Sequence, residues 1–406
     1  MKRGLSVIIT IRGEEPHLAR TIHNVRQAAG CPVEIITVYD GQMNDDVDAD
    51  QVLVHLTPRG IGPSRDRGIK AAKYAVVILI DAHMNFEPGF GQKILDHFRL
   101  KKNAKDVTCG RCIPSLADLS PEAGNDGYAG ARFSLKSEES GGEKWCLSGK
   151  WSDQEVNSEI GCVFGACYAF RRAWYEELGS PLLLLSGWWG DEEYLSIASW
   201  LAGGRCYLLD YWASHLFRDQ PSFKWERTDW MKPTANRSRL IDLFPCEDGL
   251  KAELIAWHSL SLRTADAEYI AHLEADRRRP EVKTSKKLWK TWSENVPVFL
   301  EKWVDAEAAP LIDRLEMREA ARPWKKTTEA PALAAPVAPR VQSRSYIVCP
   351  NCGQRESFRV SRTLRAKGEI RRYGRCANFN CKNRGVMVDR EGGQVVYWGK
   401  DAALYK

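Results

Sequence analysis

The sequence predicts an α/β protein built around a mainly parallel sheet. Three short runs of β-branched and aliphatic residues, at 5–11, 33–39 and 75–80, have the composition of strands buried on both faces. Helical patterns at about 15–29 and 62–73 lie between them, and this alternation indicates βαβ units. Ligands bind beyond the carboxyl ends of the strands in such sheets, so the residues that follow each run are candidates for a site.

The chain is long enough for two or three domains. It has 406 residues, of which 44% are hydrophobic, and its net charge of +6 permits an anionic partner without requiring one. No apolar run approaches the roughly 20 residues that span a bilayer, and the first residues lack a secretion signal. We therefore expect a cytoplasmic protein with no membrane partner, in which four of the 12 cysteines bind a metal and the others are reduced.

Further elements follow an irregular segment at 105–160 that is rich in Gly, Ser and charged residues and predicts loops and short strands. The patterns beyond it predict, in order, a strand at 161–170, helices at 171–179 and 190–204, a strand at 205–217 and a helical tract at about 234–320. The predicted domains are an α/β domain at 1–245, a helical extension at 246–326, a Pro/Ala-rich linker at 327–344 and a small domain at 345–406.

The acid and the histidine that follow the third strand are a candidate metal site. Asp81 and His83 lie two residues apart beyond "VVILI", so both side chains point to the same side of an extended chain. A carboxylate and an imidazole suit Mn²⁺, or a similar divalent ion such as Mg²⁺, which neutralises a diphosphate leaving group. By itself the pair is also consistent with a solvated loop acid and a histidine that caps a helix.

The C-terminal segment contains two cysteine pairs with the spacing of a zinc ribbon. Cys349 and Cys352 form the first pair, and Cys376 and Cys381 form the second. Four thiolates hold Zn²⁺ in a tetrahedral site, and a domain this small needs such a staple. We therefore predict a Zn²⁺ site in this segment.

Cationic residues outnumber acidic ones between the two cysteine pairs. Arg371, Arg372 and Arg375 are candidates for contacts with the phosphates of a nucleic acid, and Phe358 and Tyr373 are interleaved for base stacking. The alternatives are a solubilising surface and a ribbon that docks onto protein. Trp225, in "FKWERTDWMKP", is a further candidate for nucleic-acid contact, with simple packing as the alternative.

Several blocks of the chain resemble the GT-A catalytic domain of the polypeptide N-acetylgalactosaminyltransferases, a family 2-like group of nucleotide-sugar transferases. In order, they are "TVYDG", "RGIGPSRDRGIKAAKYAVVILIDAHMNF", "GACYAFRRAWYEELG", "GWWGDEEYLSIASWLAGG", "YWASHLFR" and "NRSRLIDLF". They extend across about residues 5–242, and the GT-A domain is Rossmann-like, in agreement with the predicted sheet. The resemblance implies a transferase that uses a UDP-sugar.

The resemblance also implies roles for individual residues. Mn²⁺ or Mg²⁺ is expected to bind Asp81, His83 and the later His215. Taken alone, His215 would more often be a satisfied core histidine, but the Asp81–His83 pair and the matching "SHLFR" favour a ligand. The residues expected at the nucleotide sugar are Thr10, Arg12, Asp40, Arg59, Gly60, Arg65, Asp81, Trp189 and Gly190. For the two arginines of "RGIGPSR", surface charges are the alternative, although a diphosphate needs cations.

Two acids in the block "GWWGDEEYLSIASWLAGG" are candidate catalytic residues. Where the family has "WGGEN", this chain has Trp188, Trp189, Gly190, Asp191 and Glu192, a departure that bears on the sugar and the acceptor. Asp191 or Glu192 is expected to contact the acceptor hydroxyl or the sugar, as a general base if the configuration inverts and as a positioning group if it is retained. Both also begin a predicted helix, where acids are favoured by the helix dipole alone.

Together these features predict transfer of a sugar from a UDP-sugar to a hydroxyl group. A ribbon that binds nucleic acid favours a hydroxymethylated base in viral DNA, such as 5-hydroxymethylcytosine, because unmodified bases offer no aliphatic hydroxyl. The alternative is a protein or glycan acceptor, with the ribbon as a docking module.

Overall fold

The chain forms two compact units, Met1–Arg322 and Pro323–Lys406, in a computed structural model. The structure describes residues 3–41, 43, 47–134, 147–218, 227–245, 275, 278–304, 358–366, 369–376, 384–390 and 393–398. Side chains are described in the first unit, apart from those at 227–231, 233 and 234.

Eleven strands are described in the first unit. They are β1 (Leu5–Ile11), β2 (Val33–Asp40), β3 (Gln51–His55), β4 (Val76–Ile80), β5 (Met84–Phe86), β6 (Asp106–Pro114), β7 (Ala131–Ser134), β8 (Ser148–Trp151), β9 (Ser158–Ile160), β10 (Cys167–Arg171) and β11 (Arg205–His215). Nine of them form one sheet in the order β3, β2, β1, β4, β10, β6, β11, β5, with β9 also paired to β11. The other two, β7 and β8, pair with each other.

Most strands of this sheet run in one direction. β1 pairs in parallel with β2 and β4, β2 with β3, and β6 with β11. β10 is antiparallel to both β4 and β6, while β5 and β9 are antiparallel to β11. Therefore β1, β2, β3, β4, β6 and β11 all end at one edge, here named the carboxyl edge, and all begin at the opposite, starting edge.

Eight helices are described around the sheet. They are α1 (Leu18–Ala28), α2 (Ile61–Ala71), α3 (Phe90–Arg99), α4 (Arg172–Glu177), α5 (Asp191–Leu201), α6 (Arg227–Leu243), α7 (Pro280–Lys290) and α8 (Val296–Trp303). Alternate residues of β1 enter two hydrophobic clusters, one on each face of the sheet: Ile8 packs with α2, α5, α7 and α8, whereas Val7 and Ile9 pack with α1 and α3. The strands are therefore buried on both faces.

The predicted α/β class is confirmed, and several element bounds are corrected. The predicted strands at 5–11, 33–39 and 75–80 are β1, β2 and β4. The strand predicted at 161–170 is wrong in extent, because only Cys167–Arg171 pairs with the sheet and the chain before it contains two glycines. The segment at 105–160 contains β6, a nine-residue strand inside the sheet.

The second unit contains a four-stranded antiparallel sheet in its described part. Its strands are β12 (Phe358–Ala366), β13 (Glu369–Cys376), β14 (Arg384–Arg390) and β15 (Gly393–Trp398), paired in chain order. Cys349, Cys352 and Cys381 lie outside the described residues, as does the side chain of Cys376 at the end of β13. The zinc ribbon and the four domain bounds therefore stay predictions.

Among the described helices, none combines the length and the apolar composition needed to cross a membrane.

Candidate active site

Three predicted metal ligands lie together at the carboxyl edge of the main sheet. Asp81 follows β4, His83 precedes β5, and His215 is the last residue of β11, opposite Met84 of β5. One ligand atom from each residue lies within 4.8 Å of the others, and the two imidazole centroids are 4.8 Å apart. A carboxylate and two imidazoles are a suitable donor set for Mn²⁺.

His215 shows that this cluster fits a metal ion. It is 9% exposed, and neither ring nitrogen makes a hydrogen bond with a described residue, although Nε2 lies 3.4 Å from Oδ2 of Asp81. Burial lowers the pKa of His215 despite the opposing charge of Asp81, which favours the neutral imidazole that binds metals. A buried imidazole without hydrogen bonds is costly unless a ligand pairs with it.

Asp81 is held in its ionised form. Its Oδ1 accepts a 2.9 Å hydrogen bond from Nη2 of Arg65, and its side chain is 22% exposed. Burial by itself would raise the pKa of Asp81, but the contact with His215 and the charge of Arg65 outweigh it and keep the pKa well below its usual range. Asp81 is therefore an anion at neutral pH.

His83 has a carboxylate partner outside the cluster. Its Nδ1 lies 3.3 Å from Oε2 of Glu15, a buried acid in the loop after β1, whose Oε1 contacts the guanidinium of Arg218. Burial would raise the pKa of Glu15, but hydrogen bonds from His83 and Arg218 lower it overall. The sequence analysis missed Glu15, although it follows a strand as Asp40 and Asp81 do.

Arg65 connects the metal cluster to the candidate catalytic acids. It lies in α2 with 2% exposure, and its guanidinium donates to Asp81, to Oδ2 of Asp191 and, at 2.6 Å, to the hydroxyl of Tyr168. The hydroxyl of Tyr168 in turn donates to Oδ2 of Asp191. Arg65 is therefore not the surface charge considered as an alternative, and its ion pairs join β4 to the start of α5.

The two candidate catalytic acids have different surroundings. Asp191, the first residue of α5, is buried and ion-paired with Arg65. Glu192 accepts a 3.0 Å hydrogen bond from the backbone N–H of Ala166, and burial, followed by the charge of Glu193, raises the pKa of Glu192 to about 8. At neutral pH Glu192 therefore retains a proton.

The loop before α5 is held in a strained conformation. Trp189 has φ 100°, which a tryptophan rarely adopts, and Gly190 has φ 99°. Asn236 of α6 binds both ends of this loop, because its side-chain amide donates to the carbonyls of Ser186 (2.9 Å) and Trp189 (2.7 Å). The guanidinium of Arg237 lies 4.0 Å from the centroid of the Trp189 ring.

The predicted nucleotide residues lie at the ends of β1 and β2. Thr10 is 4% exposed, and its hydroxyl makes no hydrogen bond with a described residue. The carboxylate of Asp40 accepts the backbone N–H groups of Arg59 (2.5 Å) and Gly60 (2.9 Å), so it orders the loop that precedes α2. Arg59 is exposed and Arg12 is half-buried.

Gly60 is required by its backbone conformation and by a close contact. Its φ is 99°, and a Cβ there would lie 2.4 Å from the backbone nitrogen of Gly187. The N–H of Ile61 donates to the carbonyl of Gly187 at 2.8 Å. The nucleotide loop and the loop before α5 are therefore in direct backbone contact.

A cavity of about 270 Å³ lies beside these residues. The polar residues of its lining are Arg65, Asp81, Asp191, Glu192, Glu193 and His215, and the aromatic residues are Trp151, Phe164, Trp188, Trp189 and Phe217. Trp151 lies edge-on to Phe164 and Phe217 lies edge-on to His215, both at 4.5 Å between centroids. A pocket lined by both charged and aromatic side chains suits a ligand that has a planar or apolar face and several hydroxyl or charged groups.

Trp225 lies outside the described residues, and the side chains of Arg371, Arg372 and Arg375, in β13, are likewise not described. Besides Glu15, the sequence analysis missed Tyr168 and Asn236, for which no signal of strand ends or spacing exists.

The α/β part of the chain is similar to known proteins. Residues 6–179 match the family model for glycosyl transferase family 2. Polypeptide N-acetylgalactosaminyltransferase 4 of Caenorhabditis elegans is 24% identical over 236 residues, which are 52% of this chain and 38% of that protein. Polypeptide N-acetylgalactosaminyltransferase 13 of Homo sapiens is 23% identical over 241 residues, which are 52% of this chain and 41% of that protein. The chain thus spans about two fifths of the length of these relatives.

A solved structure shares the fold. The crystal structure of GalNAc-T7 with UDP, GalNAc and Mn²⁺ superimposes with a TM-score of 0.54 at 17% identity, covering 77% of this chain and 57% of that one. The likeness shows the GT-A fold, which confirms the fold expected from the sequence blocks. The family match supports an enzyme that transfers sugars.

Proposed function

We propose that this protein is a metal-dependent glycosyltransferase that moves a hexosyl or N-acetylhexosaminyl group from a UDP-sugar to a hydroxyl group. The observation that carries the proposal is the cluster of Asp81, His83 and His215 at the carboxyl edge of a domain that matches glycosyl transferase family 2. The solved structure with the same fold contains UDP, GalNAc and Mn²⁺, which favours the same class of donor and ion here.

Asp81, His83 and His215 would hold the ion. When bound, Mn²⁺ or Mg²⁺ supplies positive charge next to the diphosphate of the donor. Arg65 keeps Asp81 oriented through its 2.9 Å hydrogen bond, and the same guanidinium holds Asp191 at the start of α5. The donor would bind at the ends of β1 and β2, where the hydroxyl of Thr10, which has no hydrogen-bond partner among the described residues, offers a hydrogen bond.

The two acids at the start of α5 are proposed to have different roles. Asp191 is the anion that faces the acceptor or the sugar, because it is ion-paired and lines the cavity. Glu192 carries a proton at neutral pH and orients a hydroxyl group by donating a hydrogen bond. A protonated carboxyl cannot act as a general base, so Asp191 is the candidate for that role if the configuration inverts.

The proposed acceptor is a hydroxymethylated base in viral DNA, such as 5-hydroxymethylcytosine. The aromatic side chains in the cavity lining support it, because enzymes that act on a base removed from the stack hold that base between aromatic or apolar side chains. The cationic sequence of β12 and β13, together with the predicted zinc ribbon, supports a nucleic-acid partner.

A protein or glycan acceptor is the second candidate. It is favoured by the relatives, which are polypeptide N-acetylgalactosaminyltransferases. In that case the second unit would serve as a docking module.

One experiment tests the function and separates the two acceptors. The protein is incubated with Mn²⁺ and a panel of UDP-sugars, in parallel with 5-hydroxymethylcytosine DNA, the same DNA without the hydroxymethyl group, and a serine- and threonine-rich peptide. We expect a hexose or N-acetylhexosamine mass on the hydroxymethylated nucleoside alone. Sugar on the peptide alone would replace the DNA acceptor by the protein acceptor, and absence of UDP release with every donor would contradict the transferase itself.

The role of the second unit has its own test. Replacing Arg371, Arg372 and Arg375 by Ala in the full chain should weaken DNA binding. The slope of the logarithm of the binding constant against the logarithm of the salt concentration should become shallower by about 0.9 for each lost phosphate contact. The control replaces the exposed lysines 101, 102 and 150 of the first unit, which removes the same charge. Equal salt slopes in the two triple variants would contradict the proposed contact.

A further inference from the structure

The buried carboxylate of Glu15 lies next to the proposed metal site without belonging to it. Glu15 is 6% exposed, and it lies in the loop between β1 and α1. Its neighbour Glu14 is exposed. A buried acid in an exposed loop needs partners, and those that it has are informative.

The partners of Glu15 come from the segments that carry two of the three proposed ligands. Its Oε2 lies 3.3 Å from Nδ1 of His83, and its Oε1 contacts the guanidinium of Arg218, three residues after His215. The same Oε1 accepts a longer hydrogen bond, 3.4 Å, from the backbone N–H of His17. One carboxylate therefore joins the loops that follow β1, β4 and β11.

The contact with Glu15 decides which nitrogen of His83 can bind an ion. When Nδ1 donates its proton to Glu15, Nε2 carries the lone pair, and only an unprotonated nitrogen can bind a metal. A carboxylate behind a metal-bound imidazole also fixes the ring orientation and raises its basicity.

We infer that Glu15 is a positioning residue for the metal site, which holds His83 with Nε2 available to the ion and, through Arg218, anchors the segment after His215. This rests on the proposed metal-dependent function. In this role Glu15 itself touches neither the ion nor the substrate. The β1–α1 loop thereby becomes part of the metal site.

The test measures Mn²⁺ affinity directly on the full-length protein without donor, by the electron paramagnetic resonance signal of free Mn²⁺. Binding that is lost in Asp81→Asn defines the site. We expect Glu15→Gln to weaken this binding by about 10- to 100-fold. Glu14→Gln, which makes the same change one residue earlier on an exposed side chain, should bind as the parent does.

A second measurement separates positioning from a general role in folding. The thermal unfolding midpoint is recorded in EDTA and then with increasing Mn²⁺. A positioning role leaves the EDTA midpoints of Glu15→Gln and the parent close together, while the Mn²⁺-dependent rise moves to higher concentrations. With Co²⁺ bound in place of Mn²⁺, the visible absorption spectrum of Glu15→Gln should differ from that of the parent, whereas the spectrum of Glu14→Gln should not. A reoriented imidazole changes the ligand field of the ion.

The outcomes are distinct. Parent-like Mn²⁺ affinity in Glu15→Gln, or equal losses in Glu14→Gln and Glu15→Gln, would overturn the role of Glu15 and leave the proposed function intact. A parent that binds no more Mn²⁺ than Asp81→Asn would overturn both. If Glu15→Gln does not fold, Glu15→Asp is used, because it keeps the charge but shortens the reach to His83, and parent-like binding in that variant overturns the inference.

Discussion

Two clusters of histidine, arginine and aspartate lie at opposite edges of the main sheet, and β11 connects them. Arg205 begins this strand in the starting-edge cluster, together with His97, Asn103 and Asp106. His215 ends it in the carboxyl-edge cluster, together with Asp81 and His83. The two clusters use similar residue types under similar burial, so their differences lie in how the polar atoms are paired.

The starting-edge cluster is fully paired. Arg205 donates from Nε and Nη2 to the two carboxylate oxygens of Asp106, at 3.0 and 2.7 Å, and Asp106 is 1% exposed. His97 uses Nε2 for Asp106 at 2.9 Å and Nδ1 for Asn103 at 3.3 Å. Every buried side-chain nitrogen and oxygen of this cluster has a partner among the described residues.

The carboxyl-edge region is incompletely paired. Both ring nitrogens of His215, Nε of Arg65 and the hydroxyl of Thr10 are buried and lack a hydrogen-bond partner among the described residues. Unpaired buried polar groups lower stability and are rare in folded proteins. Between these two clusters, residue type does not distinguish the structural cluster from the candidate site, whereas hydrogen-bond satisfaction does.

The largest expected effect is the loss of activity in Asp81→Ala. We expect sugar transfer to fall by at least about 10³-fold, equivalent to about 4 kcal/mol of transition-state stabilisation. Stability should change by no more than about 1–2 kcal/mol, because Arg65 retains Asp191 and Tyr168 as partners. Transfer at the parent rate with saturating Mn²⁺ would show that Asp81 is not a ligand.

The reverse pattern is expected for Asp106→Ala. Arg205 would lose its bidentate partner and His97 its acceptor, and the protein should be destabilised by about 3 kcal/mol, near the lower limit for a buried pair because Arg205 is a third exposed. Urea unfolding provides the measurement. Activity per folded molecule should match the parent, and a variant with parent stability but lost activity would erase the distinction between the two clusters.

A matched pair of histidine substitutions sharpens the comparison. His215→Gln should weaken Mn²⁺ binding and leave the unfolding midpoint in EDTA unchanged or slightly higher, because His215 makes no hydrogen bond that the substitution could remove. His97→Gln should bind Mn²⁺ normally but unfold earlier, by about 1–2 kcal/mol for its two hydrogen bonds. Calorimetry in EDTA gives the unfolding midpoint of each variant, and Mn²⁺ titration gives its Mn²⁺ affinity. Equal midpoints and equal affinities in the two variants would count against the metal site.

Local patterns in the sequence predict those features of the fold and of the candidate site that depend on residues close together in the chain. The apolar runs of β1, β2 and β4 and the Asp81–His83 spacing are of this kind, and both predicted ligands lie at the carboxyl edge, as the strand-end rule predicts. Glu15 also follows a strand, and His17 follows it at the spacing seen in Asp81 and His83. Its imidazole partner is nevertheless His83, 68 residues away, which the local pattern does not indicate.

Long-range pairing explains what was not predicted. The sequence does not single out β6 within the segment 105–160, because the strand begins with a buried charge, Asp106, and contains Gly110 and Arg111, so no apolar run identifies it. That charge is paired with Arg205, 99 residues later, which lies opposite Asp106 in the pairing with β11, and also with His97. Tyr168 and Asn236 likewise acquire their roles from contacts with Asp191 and Trp189 that no local pattern encodes.

The smallest expected effect concerns the proton on Glu192. Burial raises the pKa of Glu192 from an ordinary value of 4.5 to about 8. Between these two pH values the folded protein binds this proton and the unfolded chain does not. The contribution of Glu192 to the free energy of unfolding is therefore fully present below pH 4.5 and is lost as the pH rises towards 8. Glu192→Gln mimics the protonated form, and its unfolding free energy should therefore decrease less than that of the parent over this window.

Urea unfolding at a series of pH values measures that difference, with Glu193 present in both proteins as a common background. Because the proposed role of Glu192 uses its protonated form, Glu192→Gln should retain most of the transfer activity at pH 7 and lose the decline that the parent shows near pH 8. Asp191→Asn is the matched comparison at the preceding residue, and there transfer should fall at every pH. If Glu192→Gln is instead inactive at pH 7 and Asp191→Asn is active, Glu192 acts as the anion, and the roles proposed for the two acids must be exchanged.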